Sequence, residues 1–280
     1  MSALPTSQPG WTDADWDALL DQIAGRQVIP IIGQDLLWLT LDGVEATLAT
    51  HVARRLAGRL EVEPGESVHA VVCRYLKKEG CQYGQVYRHV HEILRDPALP
   101  VPPALAQLAE ITDFTLYIST TVDPLLERAL DAARFGGERR TRRIVFTPKK
   151  RAGLPDGFDA IKEPTVFYAL GQAVPEKGPA LPGSFVVSEE DLLEFLHALR
   201  ASEGNDDLDR QVQAFSDNYL LLLGGGFSDW VTRFFLRFTR KERLYRPDDH
   251  MGEYLAEVCN GDSGLIHFLQ HFRLQSKLFC

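Results

Sequence analysis

Apolar residues fall into two rhythms along this chain. Short continuous runs, bounded by Gly, Pro or small polar residues, have the make-up of strands buried on both faces. Longer stretches repeat apolar residues every three to four positions, the period of a helix with one buried face. Val28-Ile-Pro-Ile-Ile-Gly33 is the first run and predicts a strand entering a turn. Pro30 weakens it, because proline removes a ladder donor. Phe114–Ile118, Arg143–Thr147, Thr165–Leu170, Ser184–Val187, Asn218–Leu223 and Tyr254–Val258 predict further strands.

The helical rhythm fills the intervals. Thr12 and Asp15 stand before Trp16, Leu19, Leu20 and Ile23 as a helix start with an acidic first turn. From Val44 to about Leu94 no strand signal interrupts a helical pattern, in which Leu48, Val52, Leu56 and Leu60 recur at spacing four. Val68–Leu76 and Val86–Leu94 read as two more helices. Residues 65–112 therefore read as a helical insertion, ending in a Pro-rich joint at Pro97–Pro103 and the helix Ala104–Ile111. Helices follow at Pro124–Ala133, Leu192–Leu199, Asp206–Asp217, Asp229–Arg240 and Asp262–Phe272. Ser188 to Asp191 caps the second of these. Residues 1–10 read as a disordered lead, Lys149–Gly157 as a loop, and 11–280 as one domain. Strands alternating with helices predict a doubly wound α/β fold, a mostly parallel, Rossmann-like sheet covered on both faces.

Composition narrows the function. With 30 Lys and Arg against 39 Asp and Glu, the net charge of -9 argues against general nucleic-acid binding. Arg139–Arg143 and Lys149–Arg151 read as solvated loops. Cys73, Cys81, Cys259 and Cys280 form no C-x-x-C pair, so no disulfide framework is expected. Cys73 and Cys81 read as buried helix residues. The absence of a signal-peptide pattern and of long apolar runs predicts a cytoplasmic protein with no membrane association.

The candidate chemistry lies at strand ends. Gly33-Gln34-Asp35, Ser119-Thr120-Thr121-Val122-Asp123 and Gly224-Gly225-Gly226-Phe227-Ser228-Asp229 follow three predicted strands. In a parallel sheet these turns share the carboxyl edge, where open α/β folds bind ligands. Glycines admit a ligand to the backbone, helix N-termini hold phosphate, and hydroxyls suit ribose. G-x-G-x-x-G is missing. No metal site is expected: His89 and His91 point to different helix faces, and His267 and His271 lack a third ligand. On the helix Asp229–Arg240, Trp230, Phe234, Phe235 and Phe238 beside arginines read as an amphipathic core face, with an oligomer interface as the alternative.

The motif order IPIIGQD, YISTTVDPLLERAL, VFYALGQ, FVVSEEDLLEFL and YLLLLGGGFSDWVTRFFLR resembles the bacterial sirtuin-like (SIR-two-type) domains of NAD-linked antiphage defence proteins, over about residues 27–275. The resemblance implies binding of NAD or an ADP-ribose-like nucleotide through Gly33, Gln34, Asp35, Ser119, Thr120, Thr121, Asp123, Gly171, Gly224, Gly225, Gly226 and Ser228. It also implies a partner, an effector or sensor such as a Toll/interleukin-receptor domain, or self-association. In that family an Asn and a His serve cleavage of the nicotinamide–ribose bond. Here Thr121 stands at the Asn position, Val122 at the following aromatic one, and Leu170-Gly171 at the His-Gly pair. Asp35 replaces a second glycine. Leucine moves no proton, and threonine lacks the paired donor and acceptor of an amide. The expectation is a catalytically degenerate domain that binds a nucleotide or scaffolds. The alternatives are an NAD hydrolase with a rearranged site, in which Asp123, Thr121, Asp35 or Ser119 takes part, and a ligand-free interaction module.

Overall fold

The computed structural model describes residues 11–149, 161–201, 215, 217–225, 253–256 and 277–279. The predicted helices Asp229–Arg240 and Asp262–Phe272, most of Asp206–Asp217, the loop after Lys149, residues 1–10, and Gly226 and Ser228 lie outside the described residues.

The first helix, α1 (Asp13–Ala24), starts where Thr12 and Asp15 close a capping box, with Thr12 Oγ1 accepting from the Asp15 N–H at 3.3 Å. β1 (Val28–Ile32) follows, buried along its whole length. Its last residue leads into a short 3-10 turn, Gln34–Leu36. The chain then departs from the expected helical stretch: β2 (Trp38–Leu41) and β3 (Val44–Thr47) form an antiparallel hairpin. Asp42 and Gly43 at its tip both have positive φ, 52° and 75°, the two-residue turn that matches strand twist. α2 (Leu48–Leu60), α3 (Val68–Leu76), α4 (Tyr83–Leu94) and α5 (Pro103–Glu110) come next.

β4 (Leu116–Ser119), α6 (Leu125–Phe135), β5 (Arg142–Val145), β6 (Thr165–Tyr168), α7 (Glu189–Ala201), β7 (Tyr219–Leu223), β8 (Glu253–Ala256) and β9 (Lys277–Phe279) complete the described elements. Seven strands form one sheet in the order β5-β6-β4-β1-β7-β8-β9. Every pairing in it is parallel. This is a Rossmann-like α/β fold. β9 carries no signal that the apolar pattern reveals. Ser184–Val187 is not a strand; it forms a single antiparallel bridge, Gly171 to Phe185. The Val186 N–H donates to the Leu170 carbonyl at 3.0 Å, so the segment crosses the sheet edge instead of joining the ladder.

Pro30 is tolerated at the sheet centre for a geometric reason. The Gly33 N–H donates to Leu223 on β7, while the Ile32 carbonyl accepts from Thr120 beyond β4. Alternation then points the missing Pro30 donor towards β4, and the β1–β4 register begins only at Ile31.

Strand residues alternate between two cores. Val28, Ile32, Tyr117, Val166 and Tyr168 face α1–α6, and Leu56, Val71, Val86 and Leu105 from the helices after β3 share that same core. Ile29, Ile31, Ile118, Phe167 and Leu222 face α7 through Phe195, Leu196 and Leu199. Arg134 on α6 ties the α5 end to β4, donating to the Ala109 and Phe114 carbonyls at 2.9 Å each. Among the described residues no helix is long and apolar enough to cross a membrane.

The stretch Arg139–Arg143 is not simply a solvated loop. Arg143 lies on β5 with its side chain 18% exposed, paired with buried Glu127. Cys73 and Cys81 are free thiols and only half-buried; Cys81 sits between α3 and α4 instead of within a helix.

Candidate functional site

The chain builds β4, β5 and β6 on one side of β1, then returns to the other side with β7. That reversal is a topological switch point, and the turns after β1, β4 and β7 meet there at the carboxyl edge. Gly33 and Gly224 explain how closely they meet. A Cβ on Gly33 would fall 2.3 Å from the Gly224 carbonyl oxygen, and one on Gly224 2.2 Å from the Leu36 nitrogen. The Asp35 N–H donates to the Gly224 carbonyl at 2.9 Å. Gly224 also has a φ of 61°. The glycines at this point join two turns backbone to backbone.

Beside them opens a cavity of about 330 Å³. It is at the small end of the range of about 300–1,000 Å³ common to small-molecule sites. Gly33, Gln34, Thr120, Thr121, Asp123 and Gly225 line it. Asp35, Ser119, Gly171 and Gly224 are not among its lining residues, and Leu170 forms part of its wall. The rest of the wall is mainly apolar, with Leu37, Leu48, Val52, Val90 and Leu94 on one side and Val186, Val187 and Leu192 on another.

The hydroxyl turn is internally bonded. Thr120 Oγ1 donates to the Ile32 carbonyl at 2.9 Å. Ser119 Oγ lies 3.0 Å from Thr121 Oγ1 and accepts from the Thr121 N–H at 3.1 Å. Asp123, 3% exposed, accepts the Leu125 N–H at 2.9 Å and so closes the start of α6. Burial pushes its carboxyl above the usual range, partly countered by the Leu125 N–H and the Thr121 hydroxyl.

Sequence reasoning did not find the opposite wall. Ser67, Val68 and His69 from the start of α3, and Ser188 and Glu189 from the start of α7, line the cavity. His69 Nδ1 accepts the Glu189 N–H at 3.1 Å, and its Nε2 lies 3.4 Å from Cys73 Sγ and 3.7 Å from Glu189 Oε2. With Nδ1 used as an acceptor, the neutral ring carries its proton on Nε2. Asp191 anchors this wall. It accepts from the Val187 and Ser188 N–H groups at 3.0 and 3.1 Å, from Tyr83 at 3.1 Å, and from Tyr87. Burial and the Asp191 carboxylate raise the Tyr87 phenol far above its ordinary value, so it stays a donor. Ser188 is legible in the sequence as a cap and Ser67 is not, and nothing local shows that the two helix starts face one cavity.

His89 lies 3.4 Å from Glu92 Oε2, while His91 Nδ1 lies 2.8 Å from the Ala173 carbonyl, so the two imidazoles serve different faces of α4. No family model matches the sequence, and neither does any curated protein. The likeness to sirtuin-like domains therefore rests on the sequence motifs alone.

Proposed function

We propose that this chain is a catalytically degenerate, sirtuin-like binding domain that holds a NAD-related nucleotide without cleaving it and passes the binding event to a partner effector. The observation that carries this reading is the cavity at the switch point, bordered by the turns after β1, β4 and β7. The polar groups of the turn after β4 are committed to the fold: Asp123 accepts the Leu125 N–H and Thr121 bonds Ser119 and Asp123, while Leu170, which can move no proton, forms part of the wall.

Calorimetric titration with NAD tests binding, and nicotinamide release tests cleavage. Saturable micromolar binding with no release is expected. Ala49, half-buried on the cavity wall, gives the control: Ala49→Trp fills the space and abolishes binding while the fold persists. No binding by the wild type would leave the interaction-module reading.

One observation favours the hydrolase alternative. His69 is an imidazole on the cavity wall beside a carboxylate. Its Nδ1 acceptor role leaves Nε2 protonated, the wrong state for a base acting through that atom. Nicotinamide release that His69→Ala removes would establish the hydrolase.

A further inference from the structure

We propose that the cavity recognises the nucleoside part of its ligand, and that the phosphates remain in water beside Gln34 and add nothing to affinity. This rests on the nucleotide reading above and specifies which part of the molecule is read.

The first support is charge. Among the described residues the cavity lining contains no Lys or Arg; its ionisable members are His69, Asp123 and Glu189. The exposed Asp35 stands next to Gln34 on the turn after β1. A pyrophosphate entering would meet carboxylates and, among the described residues, no cation, which raises its cost.

The second support concerns the helix ends. α2, α3, α6 and α7 all present their N-termini to the cavity, through Leu48 and Ala49, Ser67 to His69, Asp123, and Ser188 and Glu189. Each such end carries about half a positive charge and would ordinarily attract phosphate. Here the chain supplies its own acceptors. Thr47 Oγ1 takes the Thr50 N–H at 3.3 Å and Ser67 Oγ the Ala70 N–H at 3.1 Å. Carboxylates serve the other two ends, Asp123 at α6 and Asp191 at α7. About two positive charges in total from four dipoles face the carboxylates of Asp123, Asp191 and Glu189.

The third support is the first turn, where a phosphate cradle would lie. The amides of Asp35, Leu36 and Leu37 already donate to the carbonyls of Gly224, Gly33 and Gln34. The Thr120 amide donates to the Ile32 carbonyl and the Thr121 amide to Ser119 Oγ. What the cavity offers instead is apolar wall, Leu37, Val52, Val90, Leu94 and Leu170, suited to the faces of a base.

Titration of the full chain with adenosine and with ADP-ribose, at low and at high salt, tests this. The two affinities are expected within about threefold of each other and insensitive to salt. ADP-ribose binding tighter by about tenfold or more, and weakening as salt rises, overturns the proposal. Binding by neither compound removes the nucleotide reading itself, a separate outcome. Gln34→Lys places a cation where the phosphates are proposed to lie. It should tighten ADP-ribose by about tenfold relative to adenosine measured on the same variant, and make that binding salt-dependent. A variant in which ADP-ribose gains nothing also overturns the proposal.

Discussion

Asp123 and Glu127 stand one helical turn apart at the start of α6, and both are buried, at 3% and 4% exposure. Burial raises both carboxyls above their usual range. Their surroundings differ. Glu127 faces Arg143, accepts the Tyr168 hydroxyl at 2.6 Å and lies 3.5 Å from Gln172 Nε2. Asp123 is met instead by neutral donors, the Leu125 N–H, the Thr121 hydroxyl and its own backbone N–H. One carboxylate is fixed by a cation in the scaffold, and the other borders a cavity that holds no cation among its described lining residues. Among the described residues a cation meets the carboxylate that ties α6 to β5, and none meets the one on the cavity wall.

The largest test of that contrast is Arg143→Met. It leaves Glu127 buried without its cation and should destabilise the protein by about 3–5 kcal/mol in denaturant unfolding. A loss under about 1 kcal/mol would show that the two carboxylates do not differ in kind. Asp123→Ala is expected to cost about 1–2 kcal/mol, the loss of a helix-start acceptor.

Asp123→Asn separates capping from charge. A carboxyl raised in the folded state contributes stability that is fully present below its unfolded value, about 3.9. That contribution is lost as pH rises through the folded value. Wild type and Asp123→Asn should therefore be nearest in stability at acid pH and diverge towards neutrality, with the Asn form the more stable. Thermal melts across pH read this directly, and parallel curves would contradict the raised carboxyl. The smallest effect is at Arg140, whose pair with Glu163 is over half exposed on both sides. Arg140→Ala should change stability by about 0.5 kcal/mol or less.

Local signals carried most of the fold. Thr12 with Asp15 and Ser188 with Asp191 mark helix starts that the structure shows as reciprocal caps. Five-residue apolar runs gave β1 and β7 because a strand buried on both faces needs no alternation. The β2–β3 hairpin escaped although Asp42-Gly43 is its standard turn, because Val44 stands four residues before Leu48 and so extends the spacing of α2 backwards. Long-range geometry was the real limit. His69 and Glu189 meet across 120 residues, and Tyr87 reaches Asp191 across 104. Arg143 reads both as the end of a basic loop and as the start of a strand, but no local signal pairs it with Glu127. Whether a glycine admits a ligand or another backbone is likewise invisible until the second turn is placed.

The pairing of Gly33 with Gly224 has a consequence for synthesis. β1 is made early, yet one of its edges waits for Tyr219–Leu223 to leave the ribosome. Until then the nascent chain carries an apolar strand with an open side, the kind of edge that recruits other chains. The cavity shares that delay, because its wall runs from Gly33 to Gly225. The cavity is closed only after most of these residues have emerged, so its walls form at the last stage of folding and at none before it.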